Sequence, residues 1–535
     1  MVSTLVVGID AATWDILEGL LDAGDLPHLA SLRSDGTHGT LTSTRPPMTP
    51  QAWTSMVTGV NPGKHGIFDF RTQDPETYEV RPVDATDRRF PTLWDVFDHA
   101  DRSSGVVNLP VSHPAPSNTS FFVAGFPASV DDDIVAPQAA ANHLPDDYRI
   151  EPTVDPDDDP AAYLEAVEAL MSVRTDLTLS LLDAYDPELC WTVFMGVDWV
   201  QHYLWNDQID GERAVHRAYR HVDAQLGRLL EAIDDDVNVL VVSDHGFREI
   251  DGEIHLNSVL ESLGELRRYD ADDDTGAFAT FATAALAAIE RFPDSVEHSI
   301  KAAVKRAAPA SLLRRSEQAA GLTGQRYLHE RVEWSATRAF SYGSMGRVFL
   351  NRASRYRDGT IEEADYESVR ASLAADLEGV IHPETGDQVF EAATPGEEVY
   401  TGGSTDAAPD LLLTPTDWRY MIYGGFGDEW LHPPEKRYAD HAPAGIFLAA
   451  GPDIAAGTCD ASVYDVAPTV LALHDLPLVE GMDGAPLTSM LRGIDVSGKT
   501  VAPDAIRDEL SHGPTDRSTD PDNDVEDRLE DLGYL

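Results

Sequence analysis

Seven side chains along the sequence could together hold divalent metal ions and act on a substrate. They are Asp10, Thr49, Asp198, His202, Asp244, His245 and His441. Carboxylate oxygens and imidazole nitrogens are donors that suit Zn²⁺, Mn²⁺ or Fe. Asp198 and His202 lie four positions apart, so one face of a helix can direct both to a single ion. Each residue alone has an ordinary explanation, such as a helix cap, a solvated acid or a core histidine. The combination favours a metal site.

Three of these acids follow apolar runs that predict buried strands. The runs are 4–9, 189–196 and 237–243, and they lead into Asp10, Asp198 and Asp244. In an open α/β sheet, ligands bind outside the carboxyl ends of the strands. Three carboxylates at one edge would repel one another unless cations lay between them. The strand pattern therefore predicts where the metal ions bind.

Thr49 is predicted to lie at the start of a helix. The prolines of residues 45–50 indicate a stiff loop, and residues 49–58 are expected to be helical. A hydroxyl at a helix N-terminus either caps unpaired N–H groups or faces a phosphate. A Thr hydroxyl is a poor nucleophile until a metal deprotonates it. Thr49 is thus both a candidate metal ligand and the candidate nucleophile.

The alternation of apolar strands and amphipathic helices predicts an α/β fold, with a mostly parallel sheet and helices on both faces. We expect its first part at 1–264 and its return at 405–490, where the run 408–413 is predicted to rejoin the sheet. Residues 265–404 are predicted to form an insertion or cap, helical and Ala-rich at first and then a small α+β unit. Residues 491–535 read as an acidic tail that ends in a short helix.

Composition points to a protein adapted to high salt. The 535 residues contain 93 acidic and 39 basic side chains, for a formal net charge of −54. Such self-repulsion is tolerable where the Debye length is only about 3 Å, near 1 M salt. The charge disfavours nucleic-acid and membrane partners. Without a signal peptide or an apolar run of 18 residues, we expect a cytoplasmic location. The oligomeric state stays open.

Motifs in sequence order resemble those of the alkaline phosphatase superfamily, most closely its type I phosphodiesterase/nucleotide pyrophosphatase branch. They comprise Asp10, Thr49 to Gly59 with His65-Gly66-Ile67, Asp198 to His202, Ser243 to Phe247, Asp440-His441 with Gly451-Pro452, Asp465 to Thr469, and Met482 to Gly484. The resemblance covers about 1–260 and 405–490. It implies an alkaline-phosphatase-like fold.

The resemblance also implies an activity and a ligand set. Asp198, His202 and His441 resemble ligands of one divalent ion. Asp10, Asp244 and His245 resemble ligands of a second ion, to which Thr49 is also bound. The implied enzyme is a hydrolase of small phosphoric esters that forms a covalent phospho-Thr49, which water then hydrolyses. Zinc and manganese are the expected metals, with iron as a further possibility.

One position departs from the family pattern. Nucleotide pyrophosphatases carry an Asn shortly after the His-Gly-Ile segment that helps to hold the phosphoryl oxygens. By residue count that position is Phe70, beside Asp69. The departure predicts a different phosphoryl donor or other help for the oxyanion, and Arg45 and Lys64 are nearby cations. Arg45, Lys64 and Phe70 are therefore the candidate substrate-binding residues, although surface charge is the commoner role for each cation.

Three other functions can be compared with this prediction. A sulfatase needs a Cys or Ser followed by a Pro and then an Arg. Residues 49–53, Thr-Pro-Gln-Ala-Trp, do not have this pattern, so a sulfatase is not expected. A phosphomutase of the phosphoglycerate mutase type shares the implied fold and metals but usually carries a Ser nucleophile. A non-catalytic metal-binding scaffold is the third alternative. The last two stay open.

Overall fold

The computed structural model describes residues 2–269, 328–434, 436–494 and 498–507. Most of the predicted Ala-rich helical segment lies outside these residues, as does the predicted C-terminal helix at 525–535. The described part of the chain combines one large sheet with several small ones.

The large sheet places three parallel strands at its centre. From one edge to the other its strands are Gly457–Thr458, Thr37–Thr42, Ala444–Ala450, Asn238–Val242, Thr4–Ile9, Leu189–Phe194, Ser104–Leu109, Phe121–Ala124 and Val135–Ala136, with Ala461–Ser462 also paired to Thr37–Thr42. Thr4–Ile9 pairs in parallel with both Asn238–Val242 and Leu189–Phe194. Strands of this kind are covered on both faces, which explains why the three runs are continuously apolar.

Helices alternate with the strands along the chain. In the described residues they are Trp14–Ala23, Pro27–Asp35, Thr49–Thr58, Pro62–His65, Leu93–His99, Pro160–Tyr185, Gly196–Leu204, Ala214–Glu231, Leu256–Ser262, Leu328–Arg331, Tyr366–Glu378, Gly396–Val399, Val466–Leu473 and Pro503–Arg507. Gly24, with a φ of 79°, ends the first helix and separates it from the second. The alternation of strand and helix predicted from the sequence is present.

A second hydrophobic core lies under smaller sheets. Four strands, Ala339–Phe340, Arg347–Leu350, Leu411–Pro415 and Phe390–Pro395, form one of these sheets. A three-stranded sheet orders Tyr420–Tyr423, Gly252–His255 and Leu431–His432. The expectation that 408–413 rejoins the large sheet was wrong, because Leu411–Pro415 pairs with Arg347–Leu350 and Phe390–Pro395. A run of leucines predicts a buried strand and does not select its sheet.

The second core extends beyond the predicted limits of the insertion. It takes Ile254, Leu256 and Leu260 from before residue 265, and Leu411 and Ile422 from after residue 404. We refer to the part of the chain that forms this core as the cap. Among the described residues, the helices are too short or too polar to cross a lipid bilayer.

Candidate functional site

Asp10, Asp198 and Asp244 lie at the carboxyl ends of three adjacent strands. The register pairs Gly8 with Val242 and Ile9 with Phe194, so the three chain segments leave the sheet at the same level. All three aspartates have an exposed fraction of 0%. The structure therefore brings together at one sheet edge the acids that the sequence pattern assigned there.

The first group of potential ligands consists of Asp10, Asp244 and His245. The Nε2 atom of His245 lies 3.2 Å from Asp244 Oδ2 and 3.6 Å from Asp10 Oδ1. Thr49 Oγ1 lies 3.2 Å from the same nitrogen. Ligand atoms from the two acids and His245 all fall within 4.8 Å of one another, a spacing that fits a metal ion.

The second group consists of Asp198, His202 and His441. Asp198 Oδ1 lies 3.2 Å from His202 Nε2 and 3.5 Å from His441 Nε2. The two histidine nitrogens are 3.0 Å apart. The groups adjoin, because the rings of His245 and His441 stack with centroids 3.7 Å apart. Two neighbouring metal ions could be held here.

The histidine tautomers support metal binding. The Nδ1 atom of His245 lies 3.0 Å from the carbonyl oxygen of Gly246, and that of His441 lies 3.0 Å from the carbonyl oxygen of Pro47. In the neutral ring Nδ1–H donates to the carbonyl and leaves a lone pair on Nε2. Both Nε2 atoms face the aspartates, which also have no proton to donate when ionised. A cation between these donors would satisfy all of them.

Buried carboxylates make the metal-free site electrostatically unfavourable. Burial, followed by the negative charges of Asp244 and Asp198, raises the pKa of Asp10 well above its usual range. Burial also raises the pKa of Asp244 to about 8, opposed by His441 and reinforced by Asp198. Burial lowers the pKa values of His202 and His245. A bound cation would favour the ionised acids and neutral histidines that coordination requires.

Asp440 is a potential ligand that the sequence interpretation did not select. It precedes His441 in the strand Ala439–Ala442, which pairs with Gly246–Glu249 and so reaches the sheet edge. Its carboxylate forms a close group with His202 and His441. Its Oδ1 atom is buried and has no hydrogen-bond partner among the described residues. Its position beside a predicted ligand was the available signal.

Thr49 is the first residue of its helix, and Met48 occupies the cap position. The cap has no side-chain hydrogen bond, so of the two roles considered for the Thr49 hydroxyl the structure does not show capping. In the same helix, Trp53 Nε1 donates to Asp10 Oδ2 over 2.8 Å. A Cβ atom on Gly8 would lie 2.4 Å from the Trp53 ring, so Gly8 permits the close approach of helix and strand. This contact was not predicted from the sequence, and it couples Thr49 to the aspartate cluster.

A small pocket opens beside this site. The polar and charged residues that line it include Thr49, His202, Arg437, Asp440 and His441. Arg437 was not among the predicted residues. Its Nη2 atom donates to the hydroxyl of Tyr203 over 3.2 Å. The structure thus brings to the pocket a cation from a distant part of the sequence.

The two cations expected from the sequence are engaged elsewhere. Arg45 donates to the hydroxyls of Thr394 and Thr414, over 3.1 and 3.2 Å. Lys64 forms an ion pair with Asp483. Neither lies among the residues that line the pocket, so the structure does not support their assignment to substrate binding. Proximity in sequence to Thr49 did not bring either side chain to the site.

Phe70 does line the pocket. It is buried, with an exposed fraction of 1%, and its ring meets Phe126 edge to face at 5.4 Å. The preceding residue, Asp69, forms a fully buried ion pair with Arg347 of the cap. An apolar ring therefore borders the pocket at the position that the resemblance assigns to a polar amide.

His65 contacts the Thr49–Thr58 helix through Ser55. Its Nδ1 atom accepts from the Ile67 N–H over 3.1 Å, so the neutral ring carries its proton on Nε2 and donates to Ser55 Oγ over 3.0 Å. Burial, reinforced by the Arg88 cation, lowers the pKa of His65 to about 3. Protonation would put a buried charge against this helix and remove the Ile67 contact.

We expect His65→Asn to lose most stability near neutral pH and less in acid. The pKa of His65 is about 3 in the folded protein and about 6.5 in the unfolded chain. The natural side chain therefore stabilises the fold fully above about pH 6.5, and this contribution is lost as the pH falls toward 3. The gap in melting temperature between natural and variant protein should therefore narrow between about pH 7.5 and pH 4.5. The matched control is His382→Asn, because His382 Nδ1 also accepts backbone N–H groups but is partly exposed. A gap that widens in acid would contradict the prediction.

Comparisons with known proteins identify the family and the fold of the chain. A family model described as type I phosphodiesterase / nucleotide pyrophosphatase matches residues 4–445. The phosphonoacetate hydrolase of Sinorhizobium meliloti 1021, in complex with phosphonoacetate, superposes with a TM-score of 0.51 at 15% identity, covering 87% of this chain and 94% of that chain. An inactive variant of murine ectonucleotide pyrophosphatase / phosphodiesterase 5, in complex with AMP, gives a TM-score of 0.50 at 15% identity, covering 89% and 96%. The comparison with curated proteins gave no match. The structural similarities confirm the predicted alkaline-phosphatase-like fold.

Proposed function

We propose that this chain hydrolyses a small phosphoric ester through a covalent phospho-Thr49. The chain belongs to the type I phosphodiesterase / nucleotide pyrophosphatase family, which consists of phosphoric ester hydrolases. The observation that carries the proposal is the pair of adjoining groups of acids and histidines. The Thr49 hydroxyl lies beside one of them, 3.2 Å from His245 Nε2. The hydroxyl lies at a helix N-terminus and within a buried anionic site. Helix capping does not explain this position, whereas phosphoryl transfer does.

Two divalent cations are part of the proposal. Asp10, Asp244 and His245 would hold one together with Thr49, and Asp198, His202 and His441 would hold the other. When bound, the cations would lower the pKa of the attacking hydroxyl and neutralise the phosphoryl oxygens. Zinc or manganese suits the mixed oxygen and nitrogen donors, and iron is compatible with them.

The protein's own residues define the reaction geometry. Thr49 Oγ1 attacks phosphorus, and the ester oxygen leaves with the electron pair of the P–O bond that breaks. Water then cleaves the bond between Oγ1 and phosphorus and restores the hydroxyl. Trp53 holds Asp10 through its hydrogen bond and belongs to the same helix as Thr49, so the nucleophile is fixed relative to the carboxylates before substrate binds.

Arg437 is proposed to bind a phosphoryl oxygen from the far side of the pocket. It is a cation among the residues that line the pocket, and its exposed fraction is 8%. We expect Arg437→Gln to lower kcat/KM by about tenfold to a hundredfold, the usual effect of losing a charged hydrogen bond. Tyr203→Phe is the matched control, because it removes the phenol hydroxyl that Arg437 contacts but leaves the cation. Equal losses in the two variants would indicate a structural role for Arg437.

One assay separates the proposed function from its alternatives. The protein is incubated in molar salt with Mn²⁺ or Zn²⁺ and with bis-p-nitrophenyl phosphate, p-nitrophenyl phosphate or p-nitrophenyl sulfate. Metal-dependent release of nitrophenol from a phosphate ester supports the proposal. Two bound metals without turnover would instead support a scaffold.

The remaining parts of the proposal depend on composition. A net charge of −54 suits a high-salt cytoplasm and small substrates, and it disfavours nucleic-acid polymers and anionic membranes as partners. Activity should therefore rise with salt, which the same assay measures between low and molar concentrations.

A further inference from the structure

We infer that the pocket beside Thr49 binds an apolar substituent of the substrate, such as an alkyl or aryl group attached to the phosphoryl centre. This inference rests on the proposed function, because it names the substrate class of the same site. The wall of the pocket consists of Met48, Phe70, Met345 and Met421. Each of these side chains has an exposed fraction of 7% or less, so the wall is a built surface and not a solvent-facing edge.

Three methionines on one wall favour an extended apolar group. Their thioether side chains are unbranched and polarizable, and they adapt to ligands of different shape. Met48, Met345 and Met421 also pack with Ile250 in one small hydrophobic cluster. This cluster is separate from the large core of the sheet and from the core of the cap. It lies where the two meet, at the reactive centre.

The loop that supplies Met345 has an unfavourable backbone conformation. Met345 has a φ of 63°, and the nearby Gly343 and Gly346 have φ values of 76° and 72°. Residues other than glycine rarely adopt a positive φ, because the Cβ atom makes this backbone conformation unfavourable. The resulting strain persists only where the surrounding structure enforces it, often at ligand sites. Glycine would relieve the strain at position 345. The presence of Met there indicates that its side chain is needed in the pocket.

Arg347 fixes this loop to the large α/β core. Its guanidinium donates to the carbonyl oxygens of Tyr342 and Ser344 at 3.2 Å each. It also donates to the carbonyl oxygen of Phe68 at 3.3 Å and pairs with Asp69. Phe70 follows directly and is held against Phe126. Both sides of the apolar wall are thus anchored by one buried ion pair, which gives the pocket a defined shape before ligand binds.

The closed space between these side chains holds little more than one water molecule. The unbranched methionine side chains must therefore shift to admit a carbon substituent beside the phosphoryl centre, and thioether side chains can do so. The phosphoryl oxygens would face Arg437 and the aspartate–histidine groups, and the carbon substituent would contact Phe70 and the methionines.

Alkylphosphonates test the inference without turnover, because they present a phosphoryl group with a carbon chain that is not an ester. The Mn²⁺-loaded full-length protein in molar salt is titrated calorimetrically with methyl-, butyl- and hexylphosphonate, with AMP as a polar comparison. We expect affinity to rise about fourfold per buried methylene until the pocket is full. Equal affinities along the series, or a preference for AMP over hexylphosphonate, would overturn the inference.

Met345→Gly gives the matching variant test. Glycine accepts the positive φ, so the loop is expected to keep its course while the wall loses one thioether side chain. We expect the ratio of hexyl- to methylphosphonate affinity to fall at least fivefold, and Met345→Leu to retain most of the ratio. An unchanged ratio in Met345→Gly would contradict the inference.

Failure of the inference is distinguishable from failure of the proposed function. If p-nitrophenyl phosphate esters are hydrolysed but phosphonate affinity is independent of chain length, the site is a hydrolase without an apolar specificity pocket. If the phosphonates bind in order of chain length without any ester being hydrolysed, the pocket exists on a protein that lacks the proposed activity.

Discussion

Thr49→Ala is expected to reduce the hydrolysis of p-nitrophenyl phosphate esters by about a thousandfold or more, since the loss of an essential nucleophile has effects of this size or larger. The hydroxyl lies 3.2 Å from His245 Nε2, beside two buried aspartates. Alanine removes this hydroxyl and leaves the helix and the aspartate cluster in place. Residual activity would come only from water attack at the same site.

The variant should keep its fold and, because Asp10, Asp244 and His245 remain in place, most of its metal affinity. Thr49 is the first residue of a helix that Met48 caps, so the helix does not depend on the lost hydroxyl. Trp53 and its hydrogen bond to Asp10 are unaffected by the change. The melting temperature in the presence and absence of Mn²⁺ verifies both points alongside the kinetics.

Two controls isolate the chemistry. Thr49→Ser retains a hydroxyl and should retain a substantial part of the activity. Ser55→Ala removes another buried hydroxyl from the same helix, but one that contacts His65 and not His245. It should cost stability with little effect on kcat. A Thr49→Ala protein within tenfold of natural activity would show that the phosphoryl group does not pass through Thr49.

The second large effect is expected from Asp244→Asn, in opposite directions for activity and for metal-free stability. Burial raises the pKa of Asp244 to about 8 in the folded protein, against about 4 in the unfolded chain. The contribution of a raised acid pKa to stability is fully present below about pH 4 and is lost as the pH rises through 8. At pH 8 without metal, the ionised side chain therefore opposes the fold.

Asparagine removes this charge but can still accept the Ala11 N–H, which now donates to Asp244 Oδ1 over 3.3 Å. We expect the metal-free variant to melt at or above the temperature of the natural protein at pH 8. Added Mn²⁺ or Zn²⁺ should raise the melting temperature of the natural protein and have much less effect on the variant. Hydrolysis should fall about a thousandfold, in line with the loss of a charged ligand at the reactive centre.

Asp223→Asn is the matched control for buried acids. Asp223 has an exposed fraction of 2%, but its carboxylate accepts the Leu29 N–H over 2.8 Å and lies on the Ala214–Glu231 helix. Its replacement should lower the melting temperature to the same degree with and without metal. If Asp244→Asn behaved in the same way, the cluster would be a structural network and not a metal site.

Much of the site follows from local sequence patterns. Apolar runs that end in Asp10, Asp198 and Asp244 predict parallel strands, and parallel strands in adjacent positions bring their carboxyl ends to one edge. The spacing of Asp198 and His202 is the repeat of a helix. His441 was selected by its residue type, and only the family resemblance assigned it to a particular metal ion. A high-salt habitat stays a prediction from charge.

Only the tertiary structure showed that Trp53 contacts Asp10 and that Asp440 and Arg437 line the pocket. It also showed that Arg45 contacts Thr394 and Thr414 and that Lys64 pairs with Asp483. It also assigned Leu411–Pro415 to the cap and supplied the methionine wall. Hydrophobic periodicity predicts that a side chain is buried, but it does not predict which other element packs against it. Contacts such as those of Arg347 with Asp69, 278 residues apart, depend on how separate elements pack. The residue types for the chemistry were therefore readable from the sequence, whereas the shape and polarity of the pocket were decided by packing.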